Sequence, residues 1–375
     1  MTLIIAVATN NHAFHASDRY VSVQPTPRNP GGDWDLHANK TVIATGSDCW
    51  LVLGYTGLAY LDGKPTDQVI AEAISGYEDL SGDAATIHWF PERYPHYREI
   101  RDRVESKLRD AYSRLPRATA DKHATLVLAS GVQRRRGLIS GVMFQVTAQG
   151  NKVTAGELMP AQRLADGAYR VGAVGMVNRD VIRRMDERLD GAASLEVIRD
   201  RMMDAVAETS QLTELVGDDV MGVILDKQAS TISTHFRRAD PDRQRELWQK
   251  VDFLQDQPRL KAMTTVSTPY VLTPGMIWAP AIGSPGGWSM NNGISLQYSG
   301  FDNPEVKSRA AFFVSQPRKS APGAVPRKQS GPTAPFGMRG FAAGDQKDFD
   351  MDSFGGAEND DNSETPESPG DKPAG

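Results

Sequence analysis

The sequence predicts an α+β fold of antiparallel sheets covered by helices. Two observations carry this expectation. Short apolar, β-branched runs bounded by turn residues recur from the N-terminus to about residue 236. Charged amphipathic helical stretches separate groups of these runs, so the order is strands, helices, strands, helices, strands. A length of 375 residues admits one large domain or two small ones.

Thr2 to Thr9 is apolar between polar neighbours, the pattern of a buried strand. Asn10-Asn11 signals a turn, and His12 to Arg19 reads as the returning strand. Thr41 to Thr45 and Trp50 to Leu53 read as a second hairpin through Gly46-Ser47-Asp48. Gly54 to Gly57 is expected to turn the chain toward a helix with its core at Thr66 to Gly76. Residues 81–95 read as irregular and aromatic, packing a long helix against the sheet in preference to forming a substrate wall or subunit contact. Tyr97 to Leu115 reads as that helix, ended by Pro116. Strands are expected at Ala124 to Ser130, Leu138 to Thr147, Val153 to Leu158 and Tyr169 to Val174. Arg134-Arg135-Arg136 reads as a solvated hairpin tip. Helices follow at Arg179 to Leu189 and Ser194 to Ser210, the second with Ser194 as N-cap. Val220 to Leu225 and Thr231 to Phe236 form a last hairpin through Asp226-Lys227-Gln228.

Beyond residue 237 the pattern changes. Pro241 to Leu254 reads as a charged helix. Residues 262–314 hold short β-like pieces, such as Tyr270-Val271-Leu272 and Ala310 to Val314, that either extend the sheets or form an appendage. From Ser315 onward the chain is rich in Pro, Gly, Ser, Lys and Asp and becomes strongly acidic, which predicts a disordered tail. The expected division is 1–237, 238–314 and 315–375.

A net charge of −5 gives no electrostatic case for nucleic-acid binding. The single cysteine, Cys49, excludes an intramolecular disulfide and reads as structural. The sequence has no apolar run of membrane-spanning length and no basic n-region of a signal peptide, so a soluble cytoplasmic protein without a membrane partner is expected. His12 and His15 are three residues apart on a strand and face opposite ways, so they make no metal pair. No metal and no cofactor is assigned.

The chemistry is expected at the start of the chain. Met1 is usually trimmed before a small residue, and trimming would leave Thr2 as the N-terminus. A Thr hydroxyl needs a base within hydrogen-bond reach. An α-amine, with a reference pKa near ~8, is partly neutral at physiological pH. One residue then supplies nucleophile and base. Asp18-Arg19 closes the second strand, Lys40 precedes the third, and Gly54-Tyr55-Thr56-Gly57 follows the fourth.

With these residues the chain resembles the proteasome β-subunit family, including its bacterial relatives, among the N-terminal nucleophile hydrolases. That family begins with Thr on its first strand. It places an acidic residue and Arg sixteen positions on, as Thr2 to Asp18 does here, and a Gly-x-x-Gly turn fourteen after its lysine, as Lys40 to Gly54 does. The resemblance covers about residues 2–236 and implies a four-layer αββα sandwich. It implies that Thr2 attacks an amide, that Lys40 is buried beside it and paired with Asp18, and that Gly54 N–H serves the oxyanion. It also implies a homo-oligomeric ring, a peptide or amide substrate and an unfoldase partner not identifiable from the sequence.

Three readings follow: a threonine-dependent amide or peptide hydrolase, a catalytically silent structural subunit, and a small-molecule amidase. The chain departs from the family where a relay serine belongs, at Gly172-Ala173-Val174-Gly175. It departs again where an Asp and a Ser belong, at Leu212 and Leu215, with Thr209, Ser210, Thr213 and Glu214 as substitutes nearby.

Overall fold

The computed structural model describes residues 2–23, 31–35, 38–80, 86–158, 162–164, 167–189, 194–237, 266–283, 286–289, 293–300 and 313–315. All lie in the first of two units into which the chain divides, Met1–Ala343. The expected helix at 241–254 and the expected tail from residue 316 on lie outside the described residues.

The fold is α+β. In chain order the elements begin β1 (Leu3–Ala8), β2 (His12–Asp18), β3 (Val21–Val23), β4 (Gly32–Asp35), β5 (Thr41–Thr45), β6 (Cys49–Thr56), β7 (Tyr60–Leu61), β8 (Lys64–Pro65), α1 (Thr66–Ser75) and β9 (Thr86–Trp89). Then come α2 (Tyr97–Arg114), α3 (Arg117–Lys122), β10 (Thr125–Arg135), β11 (Leu138–Gln149), β12 (Lys152–Glu157), β13 (Gln162–Leu164), β14 (Gly167–Gly175), α4 (Arg179–Leu189) and α5 (Leu195–Leu212). The described chain closes with β15 (Val220–Asp226), β16 (Thr231–Arg237), β17 (Val266–Ser267), β18 (Tyr270–Thr273), β19 (Gly275–Trp278), β20 (Ala281–Gly283), β21 (Gly286–Ser289), β22 (Ser295–Gly300) and β23 (Phe313–Ser315).

Two eight-stranded sheets form the body, ordered β13-β14-β1-β2-β15-β16-β22-β21 and β12-β11-β10-β6-β5-β18-β19-β9. β1 shows why its sequence reads as one continuous apolar run. Leu3, Ile5 and Val7 pack with Met203 and Val206 of α5, while Ile4, Ala6 and Ala8 pack with Leu128 and Met143 of the other sheet. A strand covered on both faces has no polar side to alternate with. β6 is used the same way: Leu51, Leu53 and Tyr55 meet Ile74 of α1 and Ile100 of α2, and Trp50 and Val52 meet Met221 and Val223 of the first sheet.

The helix ends follow local chemistry. α1 stops at Gly76, whose φ of 80° is the left-handed cap. α2 starts in a capping box between His96 and Glu99, with Tyr97 N–H donating to Asp48 Oδ1 at 2.8 Å, and stops ahead of Pro116. Ser194 accepts from Val197 N–H at 3.3 Å, as expected of the N-cap.

Two placements differ from the sequence reading, and one that it left open is decided. Gly54 lies inside β6, which runs on to Thr56 paired with Leu126; the turn is made by Gly57, at φ 107°. Residues 86–89 form a strand because β19, about 190 residues later, supplies their ladder. The pieces beyond residue 262 divide: β18 lies parallel to β5 and β22 parallel to β16, carrying β19 and β21 into the two large sheets, while β17, β20 and β23 form a three-stranded sheet of their own.

Candidate active site

Antiparallel pairing of β1 with β2, with Ile4 opposite Ser17, brings Thr2 to the end of β2 where Asp18 stands. Lys40, just ahead of β5, reaches across from the second sheet. Its Nζ donates to Thr2 Oγ1 at 2.5 Å, Asp18 Oδ2 at 2.9 Å and the Tyr20 carbonyl at 2.5 Å. An ammonium has three N–H bonds, and all three are used. Asp18 also accepts from Leu3 N–H at 3.1 Å, Tyr20 N–H at 3.2 Å and Gly217 N–H at 3.2 Å.

Thr2, Asp18 and Lys40 are 4%, 0% and 2% exposed, so the ion pair is dry. A buried charge is tolerated only when paired and hydrogen-bonded, and here both partners are. Burial lowers the Lys40 pKa below its ordinary value; Asp18 and Asp35 act against that, and Arg19 adds to it. Arg19 is itself buried, 3.7 Å from Asp219 and 5.1 Å from the Phe236 ring centre.

The backbone of Thr2 is held as well. Its carbonyl accepts from Met176 N–H at 3.0 Å and from Thr56 Oγ1 at 3.3 Å. Gly175, at φ 94°, permits this approach: an added Cβ would fall 1.8 Å from Thr2 O. Thr56 escaped the sequence reading, although it stands inside Gly54-Tyr55-Thr56-Gly57.

Gly54, expected to serve the oxyanion, pairs with Thr41 of β5 and Leu128 of β10. Tyr55 N–H donates to the Lys40 carbonyl on the β5 side, so ladder alternation turns Gly54 N–H toward Leu128 of β10. A Cβ at Gly54 would lie 2.3 Å from Cε1 of His15. The glycine is required there by packing of the imidazole.

Two of the four substitutes weighed for the missing relay groups spend their hydroxyls within their own helix. Thr209 and Ser210 donate to Ala205 and Ala207 of their own helix. Thr213 accepts from Leu215 N–H, Glu214 is exposed, and Leu212 is 60% exposed. The 172–175 stretch brings a glycine to Thr2 where no hydroxyl is available.

His12 lies 3.5 Å from Asp226. His15 is buried with neither ring nitrogen hydrogen-bonded, and burial drives its pKa down to about 3. Burial and Asp48 push the Cys49 thiol pKa well up, so it remains a thiol. Among the described residues no cluster of three or more His, Cys, Asp or Glu could hold a metal, and no helix is long and apolar enough to cross a membrane. A charged hollow of about 800 Å³, lined by Asp48, Arg93, His96, Arg103, Arg135 and Glu157 among others, includes none of Thr2, Asp18 or Lys40.

No family model and no curated protein matches the chain. Solved structures similar to it include Anbu from Hyphomicrobium sp. strain MC1, at 15% identity and TM-score 0.37 over 59% of this chain and 82% of that one. Anbu (ancestral beta-subunit) from Yersinia bercovieri is similar at 12% identity and TM-score 0.38, over 59% and 81%. A helical assembly of the Anbu complex from Pseudomonas aeruginosa is similar at 13% identity and TM-score 0.39, over 59% and 81%. The expected place in the bacterial branch of the proteasome β-subunit family is overturned: no family model supports it, and these similar structures are Anbu proteins.

Proposed function

We propose that this protein hydrolyses amide or peptide bonds with Thr2 as nucleophile, after removal of Met1 frees the Thr2 α-amine. The observation that carries the proposal is the Lys40 hydrogen bond to Thr2 Oγ1 within a buried, fully bonded ion pair with Asp18. A surface threonine at the start of a strand has no need of a buried ammonium. A nucleophile does, because a fixed positive charge in a dry site stabilises the developing alkoxide.

Thr2 Oγ would attack the amide carbonyl carbon while its proton passes to the α-amine. The amine returns that proton to the leaving nitrogen as the C–N bond breaks, leaving an acyl ester on Thr2. Water then attacks the ester, releasing the acid and restoring the hydroxyl. In this reading Lys40 acts as a fixed cation, with Asp18 opposing the burial that lowers its pKa. Asp18 is assigned to hold Lys40 in place, and Gly54 to give His15 room beside β6.

Layering as helices, sheet, sheet, helices belongs to the same proposal. So do assembly into a homo-oligomer and residence in a reducing cytoplasm. The missing relay groups favour a second reading, a silent structural subunit. Intact mass first shows whether Met1 is gone. Labelling with a β-lactone or epoxyketone probe and mapping the adduct then tests the chemistry. An adduct on Thr2, absent in Thr2→Ala, is expected. A processed Thr2 that takes no adduct would sink the hydrolase reading and favour the silent one. Peptides against small amides separate a peptidase from an amidase.

A further inference from the structure

We infer that Thr56 is a positioning residue for Thr2, working with the Gly175–Met176 turn; the inference rests on the reading of Thr2 as an N-terminal nucleophile. A terminal residue is poorly ordered unless tied down. Once Met1 is lost, two torsions decide where Thr2 aims its chemistry. χ1 sets the hydroxyl against the amine, and ψ sets the orientation of both relative to the sheet.

Lys40 on Oγ1 restrains χ1. The carbonyl restrains ψ, and two donors hold it, Met176 N–H at 3.0 Å and Thr56 Oγ1 at 3.3 Å. A carbonyl oxygen has two lone pairs, so this clamp is complete. The donors come from the ends of different sheets, β14 and β6, and the carbonyl joins them.

The clamp also explains two residue types. Thr56 is 3% exposed, so its hydroxyl would be buried without a partner if Thr2 moved away. At Gly175 a Cβ would meet Thr2 O at 1.8 Å and Thr56 Oγ1 at 3.1 Å, displacing both members of the contact.

The test compares Thr56→Val, which keeps the shape and loses the hydroxyl, with Thr56→Ser, which keeps the hydroxyl. Thr56→Ala stands in if the valine variant does not fold. Thr56→Val should lower kcat about tenfold with KM unchanged, as misaimed reacting groups do. Thr56→Ser should restore kcat to within about twofold of the parent, because the donor is retained.

A second readout needs no turnover. In protein labelled with 13C at the Thr2 carbonyl, the resonance should move in Thr56→Val or Thr56→Ala and stay in Thr56→Ser. The Thr2 α-amine titration should shift in parallel. Unchanged kcat together with an unmoved resonance in Thr56→Val would overturn the inference, as would a serine variant behaving like the valine one. A parent protein with Met1 removed but no Thr2 adduct would defeat the hydrolase reading alone; the carbonyl resonance would still decide the clamp.

Discussion

Asp18 accepts four hydrogen bonds while fully buried, and Lys40 supplies the charge that balances it. Removing the lysine strands that carboxylate. Lys40→Ala should therefore cost roughly 3–5 kcal/mol in urea unfolding, besides losing orders of magnitude in hydrolysis rate. Unchanged melting and activity would make Lys40 an ordinary lysine. His15 gives a pH dependence of definite sign. Its folded pKa is about 3 against 6.5 for the free side chain, so between those values the unfolded chain binds the extra proton. This contribution is present above pH 6.5 and is lost as pH falls toward 3, by roughly 5 kcal/mol. A His15→Gln variant should show a flatter acid limb; an identical limb would mean that His15 is not neutral in the fold. Gly54→Ala places a Cβ 2.3 Å from the same imidazole. It should destabilise by about 1–3 kcal/mol, and His15→Ala in the same chain should recover part of that. A loss of rate in Gly54→Ala without any loss of stability would return Gly54 to the reaction.

At the scale of elements, the late strands act on early ones. β18 covers the edge of β5, Thr45 Oγ1 donates to the Leu272 carbonyl at 3.3 Å, and Tyr270 Oη donates to the Leu80 carbonyl at 2.6 Å. β22 does the same for β16. A chain ending at residue 237 would leave two unpaired strand edges, a template for aggregation. Such a chain should precipitate or lose its cooperative melting transition, whereas a soluble, cooperatively melting 1–237 protein would show that these strands are accessory. Tyr270→Phe, removing one buried hydrogen bond, should cost about 1 kcal/mol.

At the scale of the whole molecule, four apolar clusters among the described residues divide the work. One ties α1 and α2 to the second sheet, one ties α4 and α5 to the first, and two join the sheets. From the acidic, Pro- and Gly-rich composition after residue 315 we propose that the tail is dispensable for folding. Truncation at Gln316 should leave the melting temperature unchanged, and a fall of several degrees would show that the tail contributes to the fold. Light scattering at micromolar concentration tests the proposed assembly, and a clean monomer would count against it.

The sequence by itself did not mark β3, β4, β7, β8, β9 or β13, but it marked ten of the strands between Thr2 and Phe236 and the four longer helices. Their signals are local: β-branched runs, Asn and Gly turns, Ser194 as a cap, Pro116 as a stop. Through its resemblance to a known family it also singled out Thr2, Asp18 and Lys40 as candidate site residues. Tertiary structure alone decided what pairs at long range. β9 is a strand because residues 275–278 lie beside it, and Gly54 is a glycine because His15 occupies its side-chain space. Thr56 matters through a carbonyl 54 positions away. Short-range signals report what a segment prefers when its neighbours are unknown. Close approach, burial and ladder direction belong to the neighbours, and they exist only once the sheets are assembled.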